Sequence, residues 1–238
     1  MRYFLLLFLG VFLSCSETKD ISHLQIFKYN EISGINSLDP AFAKDLASVW
    51  ATSQIFNGLV QLDSNLIVQP SIAKSWNITN DKLEYKFLLR DDVFFHNSDK
   101  SNLDHGRKVS AYDFEYSFSR LLDKNIASPG RWVMSNVNNF SAQNDSVFTI
   151  RLKSPFPAFL GLLTMQYCSV VPKEIVESTD FHSNPIGTGP FKFQLWQKGE
   201  KLIFRKNQSY FESYNGENLP FLDGISISFL RAKQAAFL

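Results

Sequence analysis

Strand-like and helix-like segments alternate along this chain of 238 residues, and their order limits the folds that the chain can adopt. Residues 83–90 alternate apolar and polar side chains, which is typical of a half-buried strand. Residues 110–122 space their apolar side chains by three and four positions, which predicts a helix whose apolar face holds Phe114, Phe118, Leu121 and Leu122. Further strands are predicted at 24–29, 147–152, 191–196, 202–205 and 225–230, and further helices at 39–56 and 157–163. Because the two kinds of segment alternate, the sequence predicts an α/β fold.

The composition is that of a globular protein with almost no net charge. Apolar residues make up 45% of the chain, and 24 Lys and Arg residues stand against 23 Asp and Glu residues, which gives a net charge of +1. These values exclude a disordered chain and give no electrostatic basis for binding nucleic acid or an acidic membrane surface. Two cysteines, Cys15 and Cys168, are too few for a disulfide framework or a zinc site by themselves.

The first fifteen residues have the pattern of an export signal. Arg2 precedes an apolar run at 3–13, which is too short to cross a bilayer because crossing takes about 20 residues. The run ends at Cys15, which polar residues follow at once, and this resembles the cleavage site of a bacterial lipoprotein. We therefore predict a signal peptide at 1–14, a lipid on Cys15 and a tether at 15–23. The alternative is a signal peptide that is cleaved elsewhere and leaves Cys15 unmodified.

No pattern in the sequence indicates catalysis or a resident cofactor. Gly187 and Gly189 lack the third glycine and the following helix that a dinucleotide site needs, so we predict a tight turn that requires glycine conformations. The four histidines lack metal-ligand spacing; His96 and His105 flank a polar loop, where solvated side chains are the main interpretation and adventitious metal binding is the alternative. No Gly-x-Ser-x-Gly sequence occurs, and Cys168 lies in an apolar run as a predicted core residue. Trp76 and Trp196 are predicted to be packing residues.

Three groups of segments together resemble one known family. The first group is Ser-Leu-Asp-Pro-Ala at 37–41 with 55–60. The second comprises 70–76, 85–90, 93–96 and 109–114, and the third comprises Val-Pro-Lys at 171–173, Pro-Ile-Gly-Thr-Gly-Pro-Phe at 185–191 and 205–211. In order and spacing they resemble extracytoplasmic solute-binding proteins of family 5, which include oligopeptide-, dipeptide- and nickel-binding lipoproteins of ABC transporters. The stretch at 97–105 is longer than the family pattern, which suggests a longer surface loop.

The resemblance implies a type II-like lobe of a periplasmic binding protein with an inserted accessory subdomain. The first lobe would comprise 24–62 and 183–238, and the accessory subdomain would comprise 63–182. The second lobe, which closes over the solute in this family, is expected to be missing or incomplete in these 238 residues.

The resemblance also implies a function and a binding segment. The chain is expected to capture peptides for import through an ABC transporter permease, without enzymatic activity, cofactor or metal, as an extracytoplasmic monomer anchored by lipid at Cys15. The ligand-facing segment aligns with Phe42, Ala43, Lys44, Asp45 and Leu46. This alignment conflicts with the helix predicted at 39–56, and we expect an extended stretch to about Leu46 with the helix after it. A solvated charged pair is the alternative role for Lys44 and Asp45.

Other functions stay open from the sequence alone. Within the family, the solute could be a metal chelate, a haem or an oligosaccharide. An exported hydrolase is the alternative from another class, although the nucleophile–base pair that it needs is not found. A truncated product of structural value only is a further alternative.

Overall fold

A computed structural model describes residues 23–97 and 105–230 of the chain. The strands in these ranges are β1 (Ile26–Asn30), β2 (Val60–Leu62), β3 (Val68–Pro70), β4 (Ala73–Ile78), β5 (Glu84–Leu89), β6 (Phe94–His96), β7 (His105–Lys108), β8 (Val137–Asn144), β9 (Val147–Leu152), β10 (Phe191–Gln197), β11 (Lys201–Lys206), β12 (Ser213–Tyr214), β13 (Glu217–Asn218) and β14 (Gly224–Ser228). The α-helices are α1 (Leu46–Ser53), α2 (Ala111–Leu122), α3 (Phe159–Leu162) and α4 (Lys173–Val176). Short 3-10 turns lie at Pro40–Phe42, Pro129–Met134 and Gln166–Cys168. This mixture of strands and helices agrees with the predicted α/β class.

An antiparallel sheet in the order β4-β5-β9-β8 carries the first of two hydrophobic cores. Helix α2 packs against β8 and β9. Phe114 and Phe118 of α2 lie 5.4–5.9 Å, between ring centroids, from Phe140 and Phe148 of the sheet. Edge and tilted ring contacts of this kind stabilise a core beyond the area that they bury.

A second sheet in the order β1-β14-β11-β10 joins segments that are distant in sequence. β1 pairs in parallel with β14, so that Ile26 lies beside Gly224. β10 and β11 form the predicted hairpin, and its turn uses Gly199 at a φ of +79°, in the region that favours glycine. Ala47 and Ala51 of α1 share the core of this sheet, since their small side chains let the helix lie close to it.

The two cores draw on different parts of the chain. The first takes its buried residues from 59–170, together with Ala41. The second takes them from 35–56 and from 171–229. The predicted lobe at 24–62 and 183–238 and the predicted accessory subdomain at 63–182 follow nearly the same division, and these boundaries stay predictions.

The helix predicted at 39–56 is wrong over its first half. Pro40–Phe42 forms a 3-10 turn, residues 43–45 are not helical, and α1 begins at Leu46. Asp45 has an extended conformation, with φ −116° and ψ 160°, and its side chain accepts a hydrogen bond from the Ser48 amide. Because this cap fixes the start of α1 at Leu46, the helix cannot run back to Pro40.

Two smaller predictions also differ from the structure. Leu121 is buried, but Leu122, the last residue of α2, is 38% exposed, so its predicted place in the core is wrong. The polar run at 97–108 predicts an exposed loop, but residues 105–108 instead form strand β7, which pairs with β6. The signal peptide at 1–14, Cys15 and most of the tether lie outside the described residues. Among the residues that are described, no helix is long and apolar enough to cross a membrane.

Gly187 and Gly189 are needed for a reason that the sequence does not reveal. Neither has a left-handed φ, so the predicted need for glycine conformations is wrong. A Cβ built on either residue would instead lie well inside van der Waals contact with the backbone of Ile55. The Gly189 amide donates a 2.7 Å hydrogen bond to the Ile55 carbonyl oxygen. The two glycines therefore allow two backbone segments to touch where the chain passes between the cores.

Candidate functional site

The predicted binding residues Phe42–Leu46 run from the end of the first 3-10 turn to the first residue of α1. The Ala43 amide donates to the Pro40 carbonyl oxygen at 3.2 Å, and the Lys44 amide donates to the Phe42 carbonyl oxygen at 2.8 Å. Ala43 is buried, whereas Lys44 and Leu46 are exposed. The segment is therefore anchored at Ala43, with Lys44 and Leu46 facing solvent on either side of Asp45.

Buried polar contacts fix this segment to the first core. The Arg120 guanidinium donates to both carboxylate oxygens of Asp39, at 3.1 and 2.6 Å, and both side chains are buried. Asp39 Oδ1 also accepts from the Ala41 amide at 3.0 Å, and Ser128 Oγ donates to the Ala41 carbonyl oxygen at 2.6 Å. Bidentate contacts of a guanidinium with a carboxylate hold one geometry, so the turn before the binding segment has a fixed orientation.

Several backbone groups of the segment have no hydrogen-bonding partner. Within 23–97 and 105–230, no hydrogen bond is made by the amides of Asp45 and Leu46 or by the carbonyl oxygens of Ala43 and Lys44. Backbone groups without a partner can pair with those of a bound chain, as in β-strand addition.

Asp45 has a structural role as well as a place in the segment. Its Oδ1 accepts from the Ser48 amide at 2.9 Å, and its Oδ2 accepts from Ser48 Oγ at 3.1 Å. A carboxylate at a helix N-terminus is also favoured by the helix dipole. The geometry therefore explains Asp45 as the cap of α1, and its contact with a ligand stays a prediction.

An apolar groove continues from the segment along α1. Leu46 and Trp50 lie one helical turn apart and are 64% and 54% exposed. Trp50 borders a groove of about 570 Å³, whose other lining residues are Phe27, Tyr29, Gln54, Phe191, Leu222 and Ile225. The groove can accommodate apolar groups beside a chain that pairs with the segment.

His96 is buried, and its predicted place in a solvated loop is wrong. The histidine ring donates from Nε2 to the Gly189 carbonyl oxygen at 2.9 Å, and Nδ1 faces the Gly187 amide at 3.4 Å. Burial lowers the pKa of His96 to about 3; the hydrogen bond to Gly189 opposes this, and the charges of Lys192 and Arg205 lower the pKa by smaller amounts. His96 therefore stays neutral and joins the first core to the glycine turn, a role visible only in the folded chain.

The remaining candidates for chemistry are structural. Cys168 is fully buried, and burial raises the pKa of its thiol to about 12, so its prediction as a core residue is confirmed. Trp76 and Trp196 pack against the first and second cores, as predicted. In the described part of the chain, no group of three or more His, Cys, Asp or Glu side chains is placed to hold a metal ion.

Comparison with known proteins gives the family of this chain. Residues 68–238 match the model of bacterial extracellular solute-binding proteins, family 5 Middle. The chain belongs to this family.

Curated relatives are binding proteins that are much longer than this chain. Di/tripeptide-binding protein 1 of Pseudomonas aeruginosa is 30% identical over 183 residues, which is 68% of this chain and 33% of the relative. The glutathione-binding protein GsiB of Salmonella typhimurium is 26% identical over 203 residues, which is 82% of this chain and 36% of the relative. The chain therefore spans about a third of the length of these relatives.

Solved structures show the same fold with different solutes. DppA from Helicobacter pylori, in complex with the peptide STSA, matches with a TM-score of 0.77 and 30% identity over 89% of this chain and 43% of its own. NikZ from Campylobacter jejuni, in complex with Ni(L-His), matches with a TM-score of 0.76 and 28% identity over 89% of this chain and 40% of its own.

Proposed function

We propose that the chain forms part of an extracytoplasmic solute-binding protein that captures peptides for import by an ABC transporter. The observation that carries this proposal is the set of amides and carbonyl oxygens at 43–46 that make no hydrogen bond to the described residues and could pair with a peptide backbone. Relatives that are named for di- and tripeptides and a solved neighbour that holds a peptide support the same solute class.

Backbone pairing at this segment would make binding tolerant of the ligand sequence. Amides and carbonyl oxygens occur at every position of a peptide, so pairing with them does not depend on the side chains. Apolar side chains of the ligand would lie along Leu46, Trp50 and the groove behind them. Phe42 would support the segment from behind, against the ring of His182.

We further propose that the first lobe comprises 24–62 and 183–238, and that 63–182 form an accessory subdomain. In this arrangement a second lobe would cover the exposed edge of the segment and exclude water from its hydrogen bonds. Hydrogen bonds that compete with solvent contribute little, so the 238-residue chain alone would bind peptides weakly. Neither lobe would act as an enzyme.

Export and anchoring are part of the proposal. Cys15 would carry lipid after the signal peptide at 1–14 is removed, and the monomeric protein would stay at the outer face of a membrane near its permease. Replacing Cys15 by Ala should release the protein to the soluble fraction or block its processing. Normal cleavage together with continued membrane association would contradict the lipid anchor.

The peptide site can be tested at one amide. Leu46→Pro removes the Leu46 amide at the first position of α1, where proline is tolerated, and the extended Asp45 before it suits a proline. Leu46→Ala is the matched control, because it removes the side chain and keeps the amide. In an NMR titration with trialanine, the amide signals of Asp45 and Leu46 should shift in the wild type and in Leu46→Ala. Leu46→Pro should weaken binding about fivefold, as the loss of one hydrogen bond predicts. Equal affinities of the two variants would contradict backbone pairing.

A metal chelate is the second candidate solute, because the NikZ neighbour holds Ni(L-His). Calorimetric titration of the same chain with Ni(L-His) and with trialanine separates the two solutes. Heat of binding with trialanine alone supports the peptide proposal, and heat with the chelate alone would replace it.

A further inference from the structure

We propose that Tyr167 contacts the ligand in the peptide site proposed above and determines which ligands fit, with Gly130 as the position that seats its ring. This inference rests on the proposed function and deepens it. It concerns a side chain from the first core, about 120 positions along the chain from the segment that pairs with the peptide backbone.

Gly130 and Tyr167 are packed so tightly that no side chain fits between them. A Cβ built on Gly130 would lie 2.5 Å from Cδ1 and 2.8 Å from Cβ of Tyr167. Gly130 does not have a left-handed φ, so the requirement for glycine comes from the ring alone. The Gly130 amide donates to Ser128 Oγ at 3.0 Å, and the same hydroxyl donates to the Ala41 carbonyl oxygen. The position of the ring is therefore tied to the turn that precedes the binding segment.

Tyr167 stands next to that segment. The 3-10 turn at Gln166–Cys168 packs against the turn at Pro40–Phe42 and against α1. The negative charge of Asp45 acts on the Tyr167 phenol and, after burial, is the second cause of its raised pKa. The phenol is therefore a hydrogen-bond donor at every physiological pH.

The hydroxyl of Tyr167 is available to a ligand. The residue is 8% exposed, and its hydroxyl makes no hydrogen bond to any of the described residues. The oxygen is also absent from the buried polar atoms that lack a partner in this part of the chain, so it reaches solvent. A buried ring with an exposed hydroxyl can donate a directed hydrogen bond at low entropic cost, because packing already fixes the ring.

The Tyr167 hydroxyl favours a ligand that has a hydrogen-bond acceptor beside the backbone groups that pair with the segment. A peptide carbonyl oxygen would accept from Tyr167 while neighbouring groups of the same peptide pair with Asp45 and Leu46. A ligand that has no acceptor at this position would leave the hydroxyl without a partner on closure, and such a ligand would be rejected. The Tyr167 ring would also limit the width of the site at this end.

The test labels the tyrosines of the whole chain with ¹³C at Cζ, the atom whose chemical shift reports hydrogen bonding of the phenol. The Tyr167 signal is identified by its loss in Tyr167→Phe, and it should move when trialanine is added. Tyr167→Phe should weaken trialanine binding about five- to tenfold with little change in melting temperature. Gly130→Ala should displace the ring, moving the Tyr167 signal before any ligand is added and weakening binding further. Tyr214→Phe, at an exposed tyrosine, is the matched control and should bind as the wild type does.

Two different failures can be told apart in the same samples. If the amide signals of Asp45 and Leu46 shift with trialanine while the Tyr167 signal stays fixed and Tyr167→Phe binds normally, the role of Tyr167 is overturned and the peptide site stands. If no amide signal of the segment shifts in the wild type, the proposed function fails and the inference fails with it. Should Tyr167→Phe not fold, the movement of the wild-type signal, identified through Gly130→Ala, decides the matter.

Discussion

The two hydrophobic cores of this chain are assembled in opposite ways. The first is built from one nearly continuous run, 59–170. Its β4–β5 and β8–β9 pairs join consecutive strands, and its β5–β9 pair joins residues about 60 positions apart. The second joins 35–56 to 171–229, and its β1–β14 pair connects residues about 200 positions apart. Because closing a shorter loop costs less entropy, we expect the first core to form without the second, and the second to need both ends of the chain to be brought together.

The proposed binding segment at 43–46 lies where these two cores meet. Asp39 and Ala41 are held by Arg120 and Ser128, which lie beside the first core, while α1 directly after the segment packs in the second. A site between two such units can change with their relative position. Single substitutions in each core can therefore test whether the second core depends on the first.

The largest effect is expected from Phe118→Ala in the first core. Phe118 is fully buried among three other phenylalanine rings, and its loss should cost about 4 kcal/mol of unfolding free energy. Because the second core depends on the first, amide hydrogen exchange should quicken in both sheets. Phe221→Ala, at a ring that is 51% exposed, should change stability by less than about 0.5 kcal/mol. Faster exchange in the first sheet alone would show that the second core is independent.

A smaller effect, confined to the second sheet, is expected from Gly187→Ala. The added Cβ meets the Ile55 backbone, which cannot rotate away as a side chain can, and the cost should be about 3 kcal/mol. Amides of β10, β11 and β14 should exchange faster while those of β5 and β9 keep their protection. Gly161→Ala is the matched control, since a Cβ there meets nothing within 4 Å. Equal loss of protection in both sheets would contradict the proposed order of dependence.

The smallest effect is expected from a change of pH, through His96, which joins the first core to the glycine turn. The folded pKa of His96 is about 3 and the unfolded value is near 6.5, so the unfolded chain takes up the proton first and stability falls as pH drops from 6.5 toward 3. Between pH 7.5 and pH 5 this linkage amounts to about 2 kcal/mol. Urea unfolding at several pH values should show this slope in the wild type and in His105→Gln, and should not show it in His96→Gln. A slope that persists in His96→Gln would place its cause elsewhere.

Local patterns predicted much of the secondary structure but not the contacts between the two cores. Alternation at 83–90 marks β5, and the spacing of Ser110 and Asp113 marks the capping box at the start of α2. The break at 43–45 was expected from the family resemblance and not from the local pattern, because the apolar spacing across 39–56 fits a helix equally well, and only the cap at Asp45 and Ser48 decides between them.

The residues that make these long-range contacts could not be found from local patterns, for a physical reason. His96 bonds to the glycine turn about 90 positions away, and Gly187 touches Ile55 across more than 130 positions. Gly130 and Tyr167 likewise meet only in the folded chain. The neighbouring sequence of these residues does not indicate their partners, whereas the resemblance to the family led us to expect the helix only after about Leu46, which is where α1 begins.

The most direct test of the binding segment is the location of a bound peptide on the chain. Isotope-filtered nuclear Overhauser spectra of the ¹³C,¹⁵N-labelled chain with unlabelled trialanine report which amide protons lie within about 5 Å of the peptide. We predict cross-peaks from the peptide α-protons to the amides of Asp45 and Leu46, accompanied by peaks to Tyr167. Cross-peaks confined to other surfaces, such as the edge of β1 at Phe27, with none to 43–46, would contradict the account.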